Sequence, residues 1–113
     1  MPNNAPGVEN TFSALSDPTR RAVVQALSKG SATVSELAGS FDMALPSFTQ
    51  HLGVLENAGL IVSHKQGRSR VCALNPSALK AAEDWLASYR REWEQRLDRL
   101  ALHLDRVKEG EIE

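Results

Sequence analysis

The chain has 113 residues, enough for one ordinary domain and too few for an enzyme with separate substrate and cofactor halves. Its 42% hydrophobic and 24% charged residues match average soluble usage, which excludes disordered and fibrous classes. Thirteen basic against fourteen acidic side chains leave a formal charge of −1, a balance that argues against coating nucleic acid without sequence preference. No apolar run approaches the roughly 18 residues of a membrane span, and the N-terminus MPNNAPGVEN has neither the basic start nor the apolar run of a signal peptide. The expected location is the cytoplasm, with no membrane partner. Cys72 is the only cysteine, which excludes an intramolecular disulfide and a Cys-rich metal cluster within one chain.

Charge is unevenly spread. Over residues 43–75 the only acid is Glu56, against Lys65, Arg68 and Arg70, whereas residues 76–113 hold nine acids and seven bases. A local basic patch can serve a nucleic-acid site without making the whole chain basic.

In chain order, residues 1–7 are expected to be a flexible arm and 8–113 a single domain. A short helix over about 9–15 carries Val8, Phe12 and Leu15 on one face. Asp17-Pro18 predicts a cap and first turn for a second helix with Ala22, Val23, Ala26 and Leu27 as its apolar stripe and Gly30 as its stop. Arg20 and Arg21 lie near that start, where cations oppose the helix dipole, so they either pair with acids or serve a ligand. Thr33-Val34-Ser35-Glu36 reads as a capping box for a short third helix that stops near Gly39. A fourth helix over 45–57 opens with Pro46 in its first turn and puts Phe48, Leu52 and Leu55 inward, leaving Ser47, Thr49, Gln50 and Gly53 outward.

Residues 60–64 and 70–74 are β-branched-rich runs separated by KQGRS, which predicts a two-stranded ribbon with a basic tip. Asn75-Pro76 then launches a helix over 76–108, uninterrupted by Gly or Pro until Gly110. Trp85, Tyr89, Trp93, Leu97, Leu100, Leu104 and Val107 recur at intervals of 4, 4, 4, 3, 4 and 3, one stripe along one side. Such a helix is ~45 Å long, and the first two-thirds of so small a chain cannot cover it. It either folds back on itself or meets its copy in a second subunit; the lack of a breaking residue favours a homodimer.

This order makes a mainly α protein with a two-stranded β-ribbon (α+β): a winged helix-turn-helix with a long C-terminal dimerisation helix. In that arrangement the second helix of the pair enters the major groove and its first two turns reach base edges. Ser47, Thr49 and Gln50 are the candidate readers, because hydroxyls donate and accept and a glutamine amide bonds adenine at two points. His51 beside them can contact a phosphate or base, and Lys65, Arg68 and Arg70 around Gly67 can reach adjacent phosphates or the minor groove. The plain alternative at each position is a solvated surface. The expected partners are a double-stranded DNA operator and a second copy of the chain.

The run FSALSDPTRRAVVQALSKG through TVSELAGSFDMALPSFTQHLGVLENAGLIVSHKQGRSRVCALNP resembles the ArsR/SmtB family of dimeric bacterial transcriptional repressors over about residues 12–75, and YRREWEQRLDRL resembles a non-metal subgroup of it. The resemblance implies operator binding as a homodimer, repression by blocking polymerase, and a dimer interface of the first and last helices, here Phe12, Trp85, Tyr89, Trp93, Leu97 and Leu100. Ala44 stands where family members commonly carry a capping serine. Metal sensors of the family use paired cysteines near the third helix or Asp/His pairs on the last; VSELAG has no thiol, and His103 stands near Asp98 and Asp105 on what reads as a solvated face. No metal and no cofactor is expected. Cys72 reads as a small buried hydrophobe rather than a redox switch.

Two other classes compete with this one. An enzyme is disfavoured: no Gly-rich phosphate loop, HExxH or GxSxG occurs, and His51, His64 and His103 fall on separate elements. A winged-helix dimer serving as a protein-interaction module would have no reason to face Ser47, Thr49, Gln50 and a basic wing outward. The aromatic residues of the dimer interface could admit a small apolar effector, although such stripes are more often plain core.

Overall fold

Local cap chemistry sets most of the helix boundaries. In a computed structural model of the protein, which describes residues 6–110, α1 spans Pro6–Ala14 and α2 spans Pro18–Leu27. Asp17 adopts an extended backbone (φ −96°, ψ 132°) and its carboxylate accepts the Arg20 backbone N–H at 3.1 Å, with Pro18 opening the helix where its missing N–H costs nothing. Thr33 and Glu36 form the reciprocal capping box of α3, Val34–Ala38: the Glu36 N–H donates to Thr33 Oγ1 at 3.1 Å and the Thr33 N–H to Glu36 Oε1 at 2.8 Å.

The reading helix α4 spans Leu45–Asn57 and buries Phe48, Leu52 and Leu55. Its end closes through Gly59 at φ +78°, with the Gly59 N–H donating to Glu56 O at 3.0 Å and the Leu60 N–H to Leu55 O at 3.0 Å. That paired closure needs a left-handed residue, which is why glycine stands there.

Three strands follow from two hydrophobic runs and one short partner. β1 is Ala32–Thr33, β2 Ile61–Gln66 and β3 Ser69–Leu74, antiparallel in the order β1-β3-β2. The two-stranded ribbon expected from sequence is therefore the outer part of a three-stranded sheet, with β1 pairing to the far edge of β3 through Ala32 opposite Cys72 and Thr33 opposite Val71. The core gathers Val23 and Leu27 of α2, Leu37 of α3, the inner face of α4, and Leu60, Ile61 and Cys72. Phe48 is fully buried, its ring 5.1 Å from that of Phe41.

Three expectations need correction. The first helix begins at Pro6 rather than near Glu9, so Pro6 and Gly7 of the expected 1–7 arm open α1, while residues 1–5 lie outside the described residues. Its buried positions are Val8, Thr11 and Ala14, with Phe12 exposed, because the Thr11 hydroxyl donates to Gly7 O at 2.8 Å and so enters the core satisfied. In α2 the buried pair is Val23 and Leu27, and Ala26 faces solvent.

Helix α5 spans Pro76–Lys108, its start marked by Asn75 Oδ1 accepting the Ser77 N–H at 3.3 Å. The contacts cluster into a compact unit ending at Ala82 and a second unit from Glu83. Within the second unit, Tyr89, Trp93, Leu97, Leu100 and Leu104 are all exposed, and the helix is laced by Arg90–Glu94 and Arg96–Glu92 pairs at i,i+4 spacing. Among the described residues no helix is long and apolar enough to cross a membrane.

Candidate nucleic-acid interface

Burial of Phe48, Leu52 and Leu55 fixes the rotation of α4 and thereby its outer surface. Gln50 lies opposite the buried stripe, flanked by Ser47 and Thr49, and all three are exposed. Thr49 Oγ1 donates to Pro46 O at 3.0 Å, so its hydroxyl hydrogen is held by the backbone and its lone pairs face outward as acceptors. The N-cap of this helix is Ala44, extended at φ −66°, ψ 144°, with no side-chain cap.

His51 is placed differently from its neighbours. Its side chain retains 23% exposure, and Nδ1 lies 3.2 Å from Arg20 Nη1 and 3.8 Å from Asp17 Oδ2. Arg20 also donates from Nε to Ala14 O at 2.6 Å and from Nη2 to Ser13 O at 3.4 Å, while Arg21 Nη1 donates to Leu15 O at 2.9 Å. Both arginines thus donate to carbonyls at the C-terminal end of α1, Ser13 and Ala14 in its last turn and Leu15 just after it, where positive charge is favoured. The Arg20 backbone amide, with a smaller contribution from the Thr19 amide, holds the Asp17 carboxyl below its ordinary value.

At the wing, Gln66 faces Ser69, so Gly67 and Arg68 alone make the turn. Gly67 sits at φ +63° and Arg68 is not left-handed, the pattern of a two-residue turn with glycine first. Lys65 and Arg70 are directly opposite each other across the strands, an arrangement of like charges that disfavours itself unless an anion lies between them. Arg70 Nη1 donates to Ser63 Oγ at 3.0 Å and Ser63 Oγ to Glu56 Oε2 at 3.2 Å, so the only acid of residues 43–75 ties the end of α4 to the base of the wing. Lys65, Arg68 and His64 are exposed.

The sequence-derived residues therefore fall into two groups. Ser47, Thr49 and Gln50 share the outer surface of α4, and Lys65 and Arg68 the wing; His51 is held at the α1–α2 corner, and Arg70, exposed opposite Lys65, is also tied to Ser63. The Arg20 and Glu56 contacts were not expected. Arg20 had no periodic signal, but Glu56, alone among bases, was a visible one.

A helix-turn-helix domain model matches residues 15–64. The transcriptional repressor SdpR of Bacillus subtilis is 33% identical over 82 residues, 73% of this chain and 91% of that protein. The HTH-type transcriptional regulator Rv2034 of Mycobacterium tuberculosis is 40% identical over 73 residues, 65% of this chain and 68% of that protein. A crystal structure described as an ArsR family transcriptional regulator is 55% identical, with a TM-score of 0.75 over 78% of this chain and 97% of that one. The chain belongs to the ArsR family of transcriptional regulators.

Within this ArsR family chain, α3 and α4 are the helix-turn-helix pair, and β2 and β3 the wing. Among the described residues no group of three or more His, Cys, Asp or Glu side chains is placed to hold a metal ion. Burial raises the Cys72 thiol above its ordinary value, with the Glu56 charge adding to it and Arg70 opposing, which keeps the sulfur protonated.

Proposed function

We propose that this ArsR family chain is a repressor that binds an inverted-repeat DNA operator as a homodimer. The observation that carries the reading is the outer surface of α4: a helix whose inner stripe is fully buried keeps Ser47, Thr49 and Gln50 exposed in its first two turns, where major-groove readers stand. Lys65 and Arg68 at the wing supply charge for flanking phosphates, and the Lys65–Arg70 opposition is relieved when a phosphate neutralises it. Arg70, exposed beside Lys65, and His51, half-buried at the α1–α2 corner, take part with them.

Dimerisation is supported by the second unit. Trp93, Leu97 and Leu104 are each 56% exposed and Leu100 50%, a stripe that a lone chain leaves in water and a copy would cover. Phe12, Trp85 and Tyr89 extend that interface in the reading, and residues 8–113 act in it as one functional domain. A two-fold related pair of α4 helices addresses half-sites about 34–36 Å apart, one turn of DNA. The protein acts in the cytoplasm, has no catalytic function, and any small apolar effector acts through the paired α5 helices.

The test is to incubate the purified protein with fragmented DNA of its source genome at near-physiological salt and sequence what is retained. Recovery of a few fragments sharing an inverted repeat supports the reading. Recovery of nothing above background, with the dimer intact in solution, overturns it in favour of a protein-interaction module. Gln50→Ala then reduces binding to the selected site by about 1–3 kcal/mol and relaxes the choice at one base pair.

A further inference from the structure

We infer that Arg20 fixes the tautomer of His51, so that His51 presents its Nε2–H as a neutral hydrogen-bond donor to an acceptor atom of bound DNA. This deepens the DNA-binding reading and rests on it.

An arginine side chain has only donors, so a guanidinium nitrogen 3.2 Å from His51 Nδ1 requires a lone pair there. The ring is then neutral, and its proton lies on Nε2. The guanidinium is not free to turn away, because its Nε and Nη2 are committed to Ala14 O at 2.6 Å and Ser13 O at 3.4 Å in the last turn of α1. Asp17 Oδ2, at 3.8 Å from the same ring nitrogen, is beyond hydrogen-bonding distance and does not compete for it as a proton acceptor. The helix corner therefore dictates the state of a residue on the reading helix.

The other ring nitrogen is available. Nε2 has no partner within the described chain, yet no buried side-chain nitrogen or oxygen among the described residues lacks one, so Nε2 reaches solvent. The ring lines a shallow depression with Arg20, Gln50, Gly53, Val54 and Asn57, next to the most outward of the candidate readers. A fixed donor there suits a guanine O6 or N7, an adenine N7, a thymine O4 or a phosphate oxygen. Being neutral, it releases no counterions, which separates it from the basic wing.

Two measurements test this. Nitrogen-15 NMR of the histidine rings in the free protein near neutral pH is expected to show Nδ1 unprotonated and Nε2 protonated for His51. Arg20→Met, which keeps the stem and removes the donors, is expected to abolish that one-sided population. An Nδ1–H tautomer or an imidazolium in the wild type overturns the proposal.

The second measurement compares two substitutions, each checked for an unchanged circular dichroism spectrum, on the operator selected as above. His51→Asn keeps an acceptor near the Nδ1 position and loses the donor at Nε2; it is expected to weaken binding by about 5- to 150-fold. His51→Gln carries an N–H at the reach of Nε2 and is expected to restore most of that loss, with the salt slope of binding the same in all three proteins. A loss confined to one base pair identifies a base acceptor, and a uniform loss a phosphate oxygen; either supports the donor role. Equal losses in both variants, or none in His51→Asn, overturn it while leaving operator binding intact. A wild type that selects no DNA overturns the donor role together with the reading beneath it.

Discussion

Ala44→Ser should stabilise the reading helix, and the structure says by which bond. Ala44 is the N-cap of α4, with the extended backbone that a capping side chain needs and no oxygen to offer. Its own carbonyl already accepts the Phe48 N–H at 3.1 Å, so the helix is started and only the side-chain contribution is missing. Pro46, at the second helical position, has no N–H to satisfy; a serine oxygen at 44 therefore has one target, the Ser47 N–H. A cap of this kind contributes about 1 kcal/mol, within a range of roughly 0.5–2. For a chain of this size that moves the thermal midpoint upward by about 4 °C. The assay is thermal and urea unfolding of both proteins at one fixed concentration, because a dimer's midpoint depends on concentration. The expected result is a higher midpoint with an unchanged urea slope. A midpoint unchanged or lowered in Ala44→Ser would refute the argument that the missing oxygen leaves α4 undercapped. Ala44→Asp separates stability from function: it caps equally well, but its charge beside the approaching phosphates should weaken operator binding while raising the midpoint.

Other expectations follow from the same geometry. The Glu36 carboxyl is held below its ordinary value first by the Thr33 backbone N–H and then by the Thr33 hydroxyl. A depressed folded-state value stabilises above the unfolded-state value and is lost as pH falls through the acid range. Glu36→Gln should therefore flatten the acid limb of a stability-versus-pH curve, and an unaltered limb would count against the capping box as its source. Arg68→Ala should weaken binding to all sequences alike and reduce the slope of log affinity against log salt by about one per subunit. A loss restricted to one sequence would make the wing tip a reader of bases. Trp93→Glu places a charge in the exposed stripe of α5 and should leave monomers in sedimentation experiments; a dimer of undiminished strength would move the interface elsewhere.

The elements most legible in the sequence are those whose signal is local. Asp17-Pro18, the Thr33–Glu36 box and the Phe48, Leu52, Leu55 stripe each act within about two turns of themselves, and α2, α3 and α4 begin where the local signals put them, although α2 ends at Leu27 rather than running on to Gly30. The long α5 was equally readable, since nothing in it breaks a helix. What escaped is what depends on the fold. β1 has two residues and no period of its own; it is a strand only because β3 has an unpaired edge opposite β2 and Ala32 and Thr33 pass beside it. In α1 the side chain that enters the core is Thr11, not Phe12, because the threonine can satisfy its hydroxyl on the preceding turn, which a count of apolar spacing does not register.

The same division runs through the candidate site. Ser47, Thr49 and Gln50 were readable as outward-facing because their orientation is the complement of a buried stripe. The partners of His51 and Arg70 were not, since Arg20 and His51 are 31 residues apart and Glu56 reaches Arg70 only through Ser63. Both contacts join α4 to its surroundings, one at the α1–α2 corner and one at the wing, and both are made by polar groups rather than core side chains. Apolar packing can hold α4 in place while tolerating small rotations; a guanidinium committed to three acceptors and a carboxylate–hydroxyl–guanidinium chain are directional and tolerate less. A reading helix must hold its outward side chains to a fraction of an ångström against base edges, so directional contacts at its flanks are where such accuracy is set. On this argument, removing Arg20 or Glu56 should blur discrimination between related operators more than it lowers the stability of the fold.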